Sequence, residues 1–93
     1  MWAWDSNKDL SNQQKHGLSF STALLVFDDP LALSRLDLHS DEERWQTVGL
    51  IGSVVVFVVH TSPEQTGKTE TGRIISARKA TAHERRAYEE GEF

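Results

Sequence analysis

Apolar and polar positions recur with two different periods along these 93 residues. Trp2 and Trp4 flank Ala3, the two-residue period of a short strand. From Asp5 to His16 the chain is polar, with Leu10 its one large apolar side chain. A helix there packs weakly and keeps a broad wet face. Asp5 or Ser6 supplies its cap, Ser6 and Asp9 resemble a shortened capping box, and Gly17 closes it in the left-handed conformation. Phe20, Ala23, Leu24 and Phe27 fall at i, i+3, i+4 and i+7, the stripe of a second helix capped by Ser19. Asp28-Asp29-Pro30 ends it, because the residue before proline disfavours helix. Leu31 to Leu38 and Arg44 to Leu50 read as strands about a polar turn at His39 to Glu42. Gly52-Ser53 marks a tight turn. Val54 to Val59 is apolar throughout, as in a central strand covered on both faces. Ser62 to Gly72 reads as a long polar hairpin loop, the least ordered stretch, and Arg73 to Lys79 as the last strand. Thr81-Ala82-His83-Glu84 is a capping box that opens a helix ending at Gly91.

The resulting order is β-α-α-β-β-β-β-α. The strand connections are too short for helical crossovers, so an antiparallel meander is expected. Helices covering one face make it a two-layer α+β fold, one domain over residues 1–93. No internal repeat or linker interrupts it. Cysteine is absent, which excludes disulfides and thiolate metal sites. The longest apolar run, Val54 to Val59, is far below the ~20 residues that cross a bilayer. The first residues read as folded protein rather than a leader, and a cytoplasmic location is expected.

The net charge of −4 is awkward for binding nucleic acid, where affinity rests on neutralising phosphates. Its distribution changes the picture. Acid gathers at Asp28-Asp29, Asp37 to Glu43 and Glu89 to Glu92, whereas Arg73, Arg78, Lys79, Arg85 and Arg86 fall within 14 positions. A local basic patch on an acidic domain is compatible with both.

Several residues can carry chemistry, each with an ordinary alternative. Lys8, Asn12, Lys15 and His16 share an arc of about 100° on a helix. They can bind phosphate and exchange protons, or form a solvated face whose last-turn cations suit the helix dipole. Arg78 can grip phosphate with its planar fork or pair with a neighbouring carboxylate. Strand alternation sends Arg73 and Arg78 to opposite faces unless a bulge intervenes. Glu43 can act as a base or pair with Arg44 or a lysine. His60 follows the central strand and reads first as a hydrogen-bonded structural histidine. His39 and His83 face solvent, and the four histidines have no metal-ligand spacing. Trp2, Trp4 and Trp45 can stack bases, but a domain short of core uses them as filling. No phosphate-binding glycine loop, nucleophile elbow or paired-carboxylate motif occurs.

Segments spread over nearly the whole chain resemble the BrnT toxin family. They begin with Trp4-Asp5, Lys8 and Asn12, then Lys15-His16-Gly17-Leu18-Ser19-Phe20 leading to Ala23, Val26-Phe27 and Asp29-Pro30. Glu43-Arg44, Val48-Gly49 and Val58-Val59-His60-Thr61 follow. Arg73-Ile74-Ile75-Ser76-Ala77-Arg78-Lys79-Ala80-Thr81, with Glu84-Arg85 and Tyr88, completes the set. The resemblance implies a RelE-like fold, a ribonuclease that arrests translation, and no metal or organic cofactor. It implies a BrnA-type ribbon-helix-helix antitoxin in a 2:2 heterotetramer, which alone contacts operator DNA. In such enzymes the RNA 2′-hydroxyl attacks the adjacent phosphate. That chemistry needs a base, a cation and an acid. On this resemblance Arg78 takes the phosphate, Lys15 or Lys8 adds charge, and His16 or Glu43 transfers protons. Lys8, Asn12, Arg44 and Lys79 are the expected RNA contacts. The acidic balance departs from RelE-like toxins, which are usually basic. The rival reading is a binding module without catalysis, serving as antitoxin partner and co-repressor.

Overall fold

The computed structural model describes residues 2–39, 41–61, 64–66 and 69–93. Its strands are β1 Trp2–Ala3, β2 Leu33–Asp37, β3 Arg44–Ile51, β4 Val54–His60, β5 Glu64–Thr66 and β6 Thr69–Lys79. The helices are α1 Ser6–His16, α2 Phe20–Ala23 and α3 Ala82–Glu90. The sheet runs β1-β6-β4-β3-β2, and β5 pairs only with the start of β6. Strands β2, β3, β4 and β6 form the antiparallel meander expected from their short connections. The α+β class therefore holds, with two additions. β1 lies parallel to β6 at the edge, Trp2 beside Gly72. Part of the segment expected as loop is the β5–β6 hairpin, while Ser62, Pro63, Gly67 and Lys68 of that segment lie outside the described residues.

The unbroken apolar run of β4 feeds two cores, one on each side of the sheet. Val56 and Val58 pack with Phe20, Ala23, Val26, Ile74 and Ala77 on the back face. Val55 and Phe57 pack with Val48, Leu33, Tyr88 and Phe93 on the front face. The helices are accordingly divided, α1 and α2 behind and α3 in front, rather than gathered on one face. Only a strand covered on both sides needs valine at consecutive positions.

The second helix is shorter than its stripe suggests. α2 passes into a 3₁₀ turn over Leu24–Asp28. Its fully buried residues are Phe20, Ala23 and Val26, at intervals of three, which is the 3₁₀ repeat. Gly49 makes room for this: a Cβ there would lie 2.9 Å from the Val26 Cβ. Asp29 then fastens the turn. Its carboxylate accepts from the Leu31 and Leu50 amides and from the Tyr88 hydroxyl at 2.9, 2.8 and 2.5 Å. The Tyr88 bond leads these in holding Asp29 below the usual carboxylate range, and the same contact pushes Tyr88 up to about 12.

α1 is capped by Asp5, which accepts from the Asn7 and Lys8 amides. Asp9 does not close a capping box with Ser6. It reaches across to accept from the Phe20 amide at 2.9 Å. Gly17 (φ 68°) and Gly91 (φ 70°) end α1 and α3 as expected.

Trp2 and Trp4 fill space. Trp2 stacks on Phe27 at 4.4 Å, and Trp4 meets Phe20 edge-on. His60 is buried edge-on against the stacked pair of Trp2 and Phe27. Its Nδ1 lies 2.9 Å from the Thr61 carbonyl, which can only accept, so Nδ1 carries the proton. Nε2 then accepts from the Thr47 hydroxyl at 2.6 Å, and Thr47 in turn accepts from Ser34. Burial pushes His60 below its ordinary 6.5, against a smaller upward pull from the Thr61 carbonyl. The unfolded chain takes up this proton as pH falls through about 6.5 and the folded chain does not. Stability from a neutral His60 is therefore full above that pH and declines on acidification, by at most about 1.4 kcal/mol per pH unit. Thermal melts from pH 7 to 5 should fall less steeply for His60→Gln than for the parent. Parallel profiles would refute the buried neutral state.

Candidate functional site

α3 packs on β3 and β4 over part of the front face. Among the described residues, the row beyond it is Arg35, Gln46, Val59 and Ser76, paired across β2, β3, β4 and β6, with Arg35 exposed and the other three half-buried. The next row, Leu33, Val48, Phe57 and Arg78, runs under α3. Arg44 pairs with Asp37 on the other side of the Arg35 row. Arg73 joins this face through a β-bulge. Val59 pairs with Ser76 but His60 pairs with Ile74, so Ile75 is an extra residue in β6. Ile74 and Ala77 consequently both point to the back core. Arg73, next to Ile74, is thereby turned to the front with Arg78, which corrects the opposite faces expected from unbroken alternation. Four of the six arginines thus share one sheet face.

Two small assemblies hold them. At the β2–β3 end, Glu42 accepts from Arg44 at 3.0 Å and from Arg73 at 2.6 Å. These bonds, Arg44's first, hold its carboxyl below the usual range. At the α3 end, Arg78 lies over the Phe57 ring at 4.2 Å and Arg35 over the Phe93 ring at 4.1 Å. Phe57 and Phe93 meet edge to face, so the two cations flank one aromatic pair. Arg35 Nε also donates to the Gln46 amide oxygen at 2.8 Å.

Arg78 is the most constrained of the four. Nη1 and Nη2 donate to the two oxygens of Glu84 at 2.7 and 3.0 Å, and Nη1 also donates to the Lys79 carbonyl at 3.2 Å. Glu84 is the acidic member of the expected capping box, accepting from the Thr81 amide at 2.8 Å while Thr81 accepts from the Glu84 amide. Burial pushes Glu84 up, but the bonds from Arg78 and Thr81 outweigh it and hold the carboxyl below its usual range.

The remaining residues anticipated from sequence lie elsewhere. Asn12 is buried on the back face, with its amide committed to the backbone of Leu18 and Ala77. Lys8, Lys15 and His16 are exposed on α1, which packs on the Ala77 side of β6. His16 and Lys79 line a shallow depression of about 200 Å³ with Leu18, Ile51, Val54 and Val56, again behind the sheet. Glu43 is exposed and meets the Trp45 indole at 3.4 Å, and the partner of Arg44 is Glu42 instead. Trp45 pairs with His60 on the back face. The sheet therefore separates Arg78 and Arg44 from Lys8, Lys15, His16 and Lys79. Sequence reasoning missed Arg35 and Phe93. Arg35 was recoverable, since it lies two residues from Leu33 and so shares its face. Phe93, beyond the last helix, gave no such signal.

Among the described residues, no group of three or more His, Asp or Glu is placed to hold a metal ion, and no helix is long and apolar enough to cross a membrane. The chain is thus a small α+β domain with four arginines on one sheet face, three of them paired with Glu42 or Glu84. Residues 4–84 match the family described as the ribonuclease toxin, BrnT, of type II toxin–antitoxin systems, and the chain belongs to that family. Membership makes it a ribonuclease toxin with an antitoxin partner and an RNA target. No match was found among curated proteins.

Proposed function

We propose that this toxin is a metal-independent endoribonuclease that cuts RNA on the front face and so arrests translation in the cytoplasm. The observation that carries this reading is Arg78, pinned by Glu84 and Phe57 on a sheet face that also holds Arg35, Arg44 and Arg73. The RNA 2′-oxygen attacks the adjacent phosphorus and the bond to the 5′-oxygen breaks. The products are a 2′,3′-cyclic phosphate and a 5′-hydroxyl. Arg78 takes the charge that builds on the non-bridging oxygens, while Arg35, Arg44 and Arg73 hold flanking phosphates. This face offers four arginines, with His39 beside Arg44 and Glu42 at the β2–β3 end, and in this reading orientation and charge supply the acceleration while the protons pass to and from water. Lys8, Lys15, His16 and Glu43 remain outside the cleavage position in this reading. A BrnA-type ribbon-helix-helix antitoxin neutralises the toxin in a 2:2 heterotetramer and brings the complex to operator DNA.

The test is incubation of the purified chain, freed of antitoxin, with RNA in the presence of EDTA. Cut RNA bearing cyclic-phosphate and 5′-hydroxyl ends is expected. RNA left intact with and without divalent cations would favour the binding module instead. Cleavage that EDTA abolishes would overturn metal independence.

A further inference from the structure

A guanidinium carries five N–H donors in one plane. In Arg78 three are engaged: two on Nη1, to Glu84 and Lys79, and one on Nη2, to Glu84. Glu84 occupies the end of the fork, and the Lys79 carbonyl occupies the outer side of Nη1. The two donors left, Nε–H and the second Nη2–H, are neighbours on the opposite edge and meet no acceptor among the described residues. That edge is a complete two-toothed fork of the kind that grips a phosphate. The Phe57 ring, 4.2 Å from Cζ, backs the guanidinium on one side. The Arg78 side chain is about one-third exposed, while Glu84 is 11% exposed and held in the capping box.

We propose that Glu84 is a positioning residue for RNA cleavage, holding Arg78 by the end of its guanidinium so that the Nε/Nη2 edge faces the phosphate under attack. This rests on the reading that Arg78 holds that phosphate. Glu84 itself touches no reacting atom, because its oxygens are taken by Arg78 and Thr81. A glutamine separates its two duties. Its carbonyl oxygen still accepts from the Thr81 amide and from Nη1, as the capping box allows. Its amide nitrogen cannot accept from Nη2, so the guanidinium loses the second of its two carboxylate anchors.

The experiment is single-turnover RNA cleavage by Glu84→Gln, Arg78→Ala and the double variant. Glu84→Gln is expected to lose roughly tenfold in maximal rate, as for one charge-assisted hydrogen bond, with half-saturation by RNA little changed and the melting temperature near the parent's. In the Arg78→Ala background the same substitution should have no further effect. A parental rate for Glu84→Gln, a faster rate, or an equal loss in both backgrounds would each overturn the positioning role. Failure of the underlying reading looks different, because Arg78→Ala would then cleave like the parent. Glu84→Ala serves as the control for the helix cap, and its loss of stability should exceed that of Glu84→Gln.

Discussion

Replacing Arg78 by alanine is expected to lower the rate of RNA cleavage by about 10²–10³ with the fold retained. That is the range for removing one pre-positioned donor from a developing oxyanion. The loss falls on the rate because the fork is already aimed before substrate arrives. Stability should fall by only about 1–2 kcal/mol, since Arg78 is one-third exposed and solvent screens its ion pair. The lost contact with the Phe57 ring accounts for part of that cost. Arg78→Lys should be nearly as slow, because an ammonium keeps the charge and lacks the planar fork. Lys15→Ala and His16→Ala alter exposed positions behind the sheet and should leave the rate within about twofold. Initial rates on one RNA substrate for all four variants decide the matter. A loss for His16→Ala equal to that for Arg78→Ala would move the site to α1 and end the front-face assignment.

What could be read from the sequence divides by the range of the interactions involved. The caps at Asp5, Ser19 and Thr81 and the helix ends at Gly17 and Gly91 are local, and each appears where its side chain or its freedom at positive φ required. The meander followed from loop lengths alone. The faces were harder, because they depend on register over long distances. A single extra residue, Ile75, reverses the parity of β6, and nothing at Ile74-Ile75-Ser76 announces a bulge. That one reversal decides whether Arg73 and Arg78 share a surface. The arc on α1 divides for a related reason, with Asn12 buried and Lys8, Lys15 and His16 exposed. A polar arc can mark a wet face, or a contact line in which one polar residue is buried, and periodicity is the same in both cases. For Arg78 the sequence offered a grip on phosphate or a pairing with a neighbouring carboxylate, and the pairing is the one seen. Its partner Glu84 was legible only as a cap, since a sequence displays one role for a carboxylate that has two oxygens to place.

Asn12→Ala should remove about 3–4 kcal/mol of stability, from the loss of three hydrogen bonds and the stranding of buried backbone groups. The cause lies at the edge of the sheet. β6 has β4 on one side, but on the other β1 reaches only Gly72 and Arg73. Among the described residues, no strand lies on that side at Ala77 to satisfy its backbone. Asn12 accepts from the Ala77 amide at 3.1 Å and donates to its carbonyl at 2.8 Å, the exchange that a paired strand residue would make. The second amide hydrogen goes to the Leu18 carbonyl at 2.8 Å and ties down the chain after α1. For a chain of this size such a loss lowers the melting temperature by at least about 12 °C, at 4 °C or more per kcal/mol. Asn12→Asp tests the donor half alone. A carboxylate would face the Leu18 and Ala77 carbonyls with nothing to donate, so at pH 7 this variant should melt below Asn12→Ala. Its carboxyl would be held above the ordinary range in the folded state. Protonation on acidification restores a donor, and the order of the two variants should close or reverse toward pH 4. Ala77 immediately precedes Arg78, so loosening this edge also loosens the strand that aims the guanidinium. Melts of the two variants at pH 7 and 4 therefore read out the edge directly. A change of only a few degrees for Asn12→Ala would show that β6 holds its place without α1.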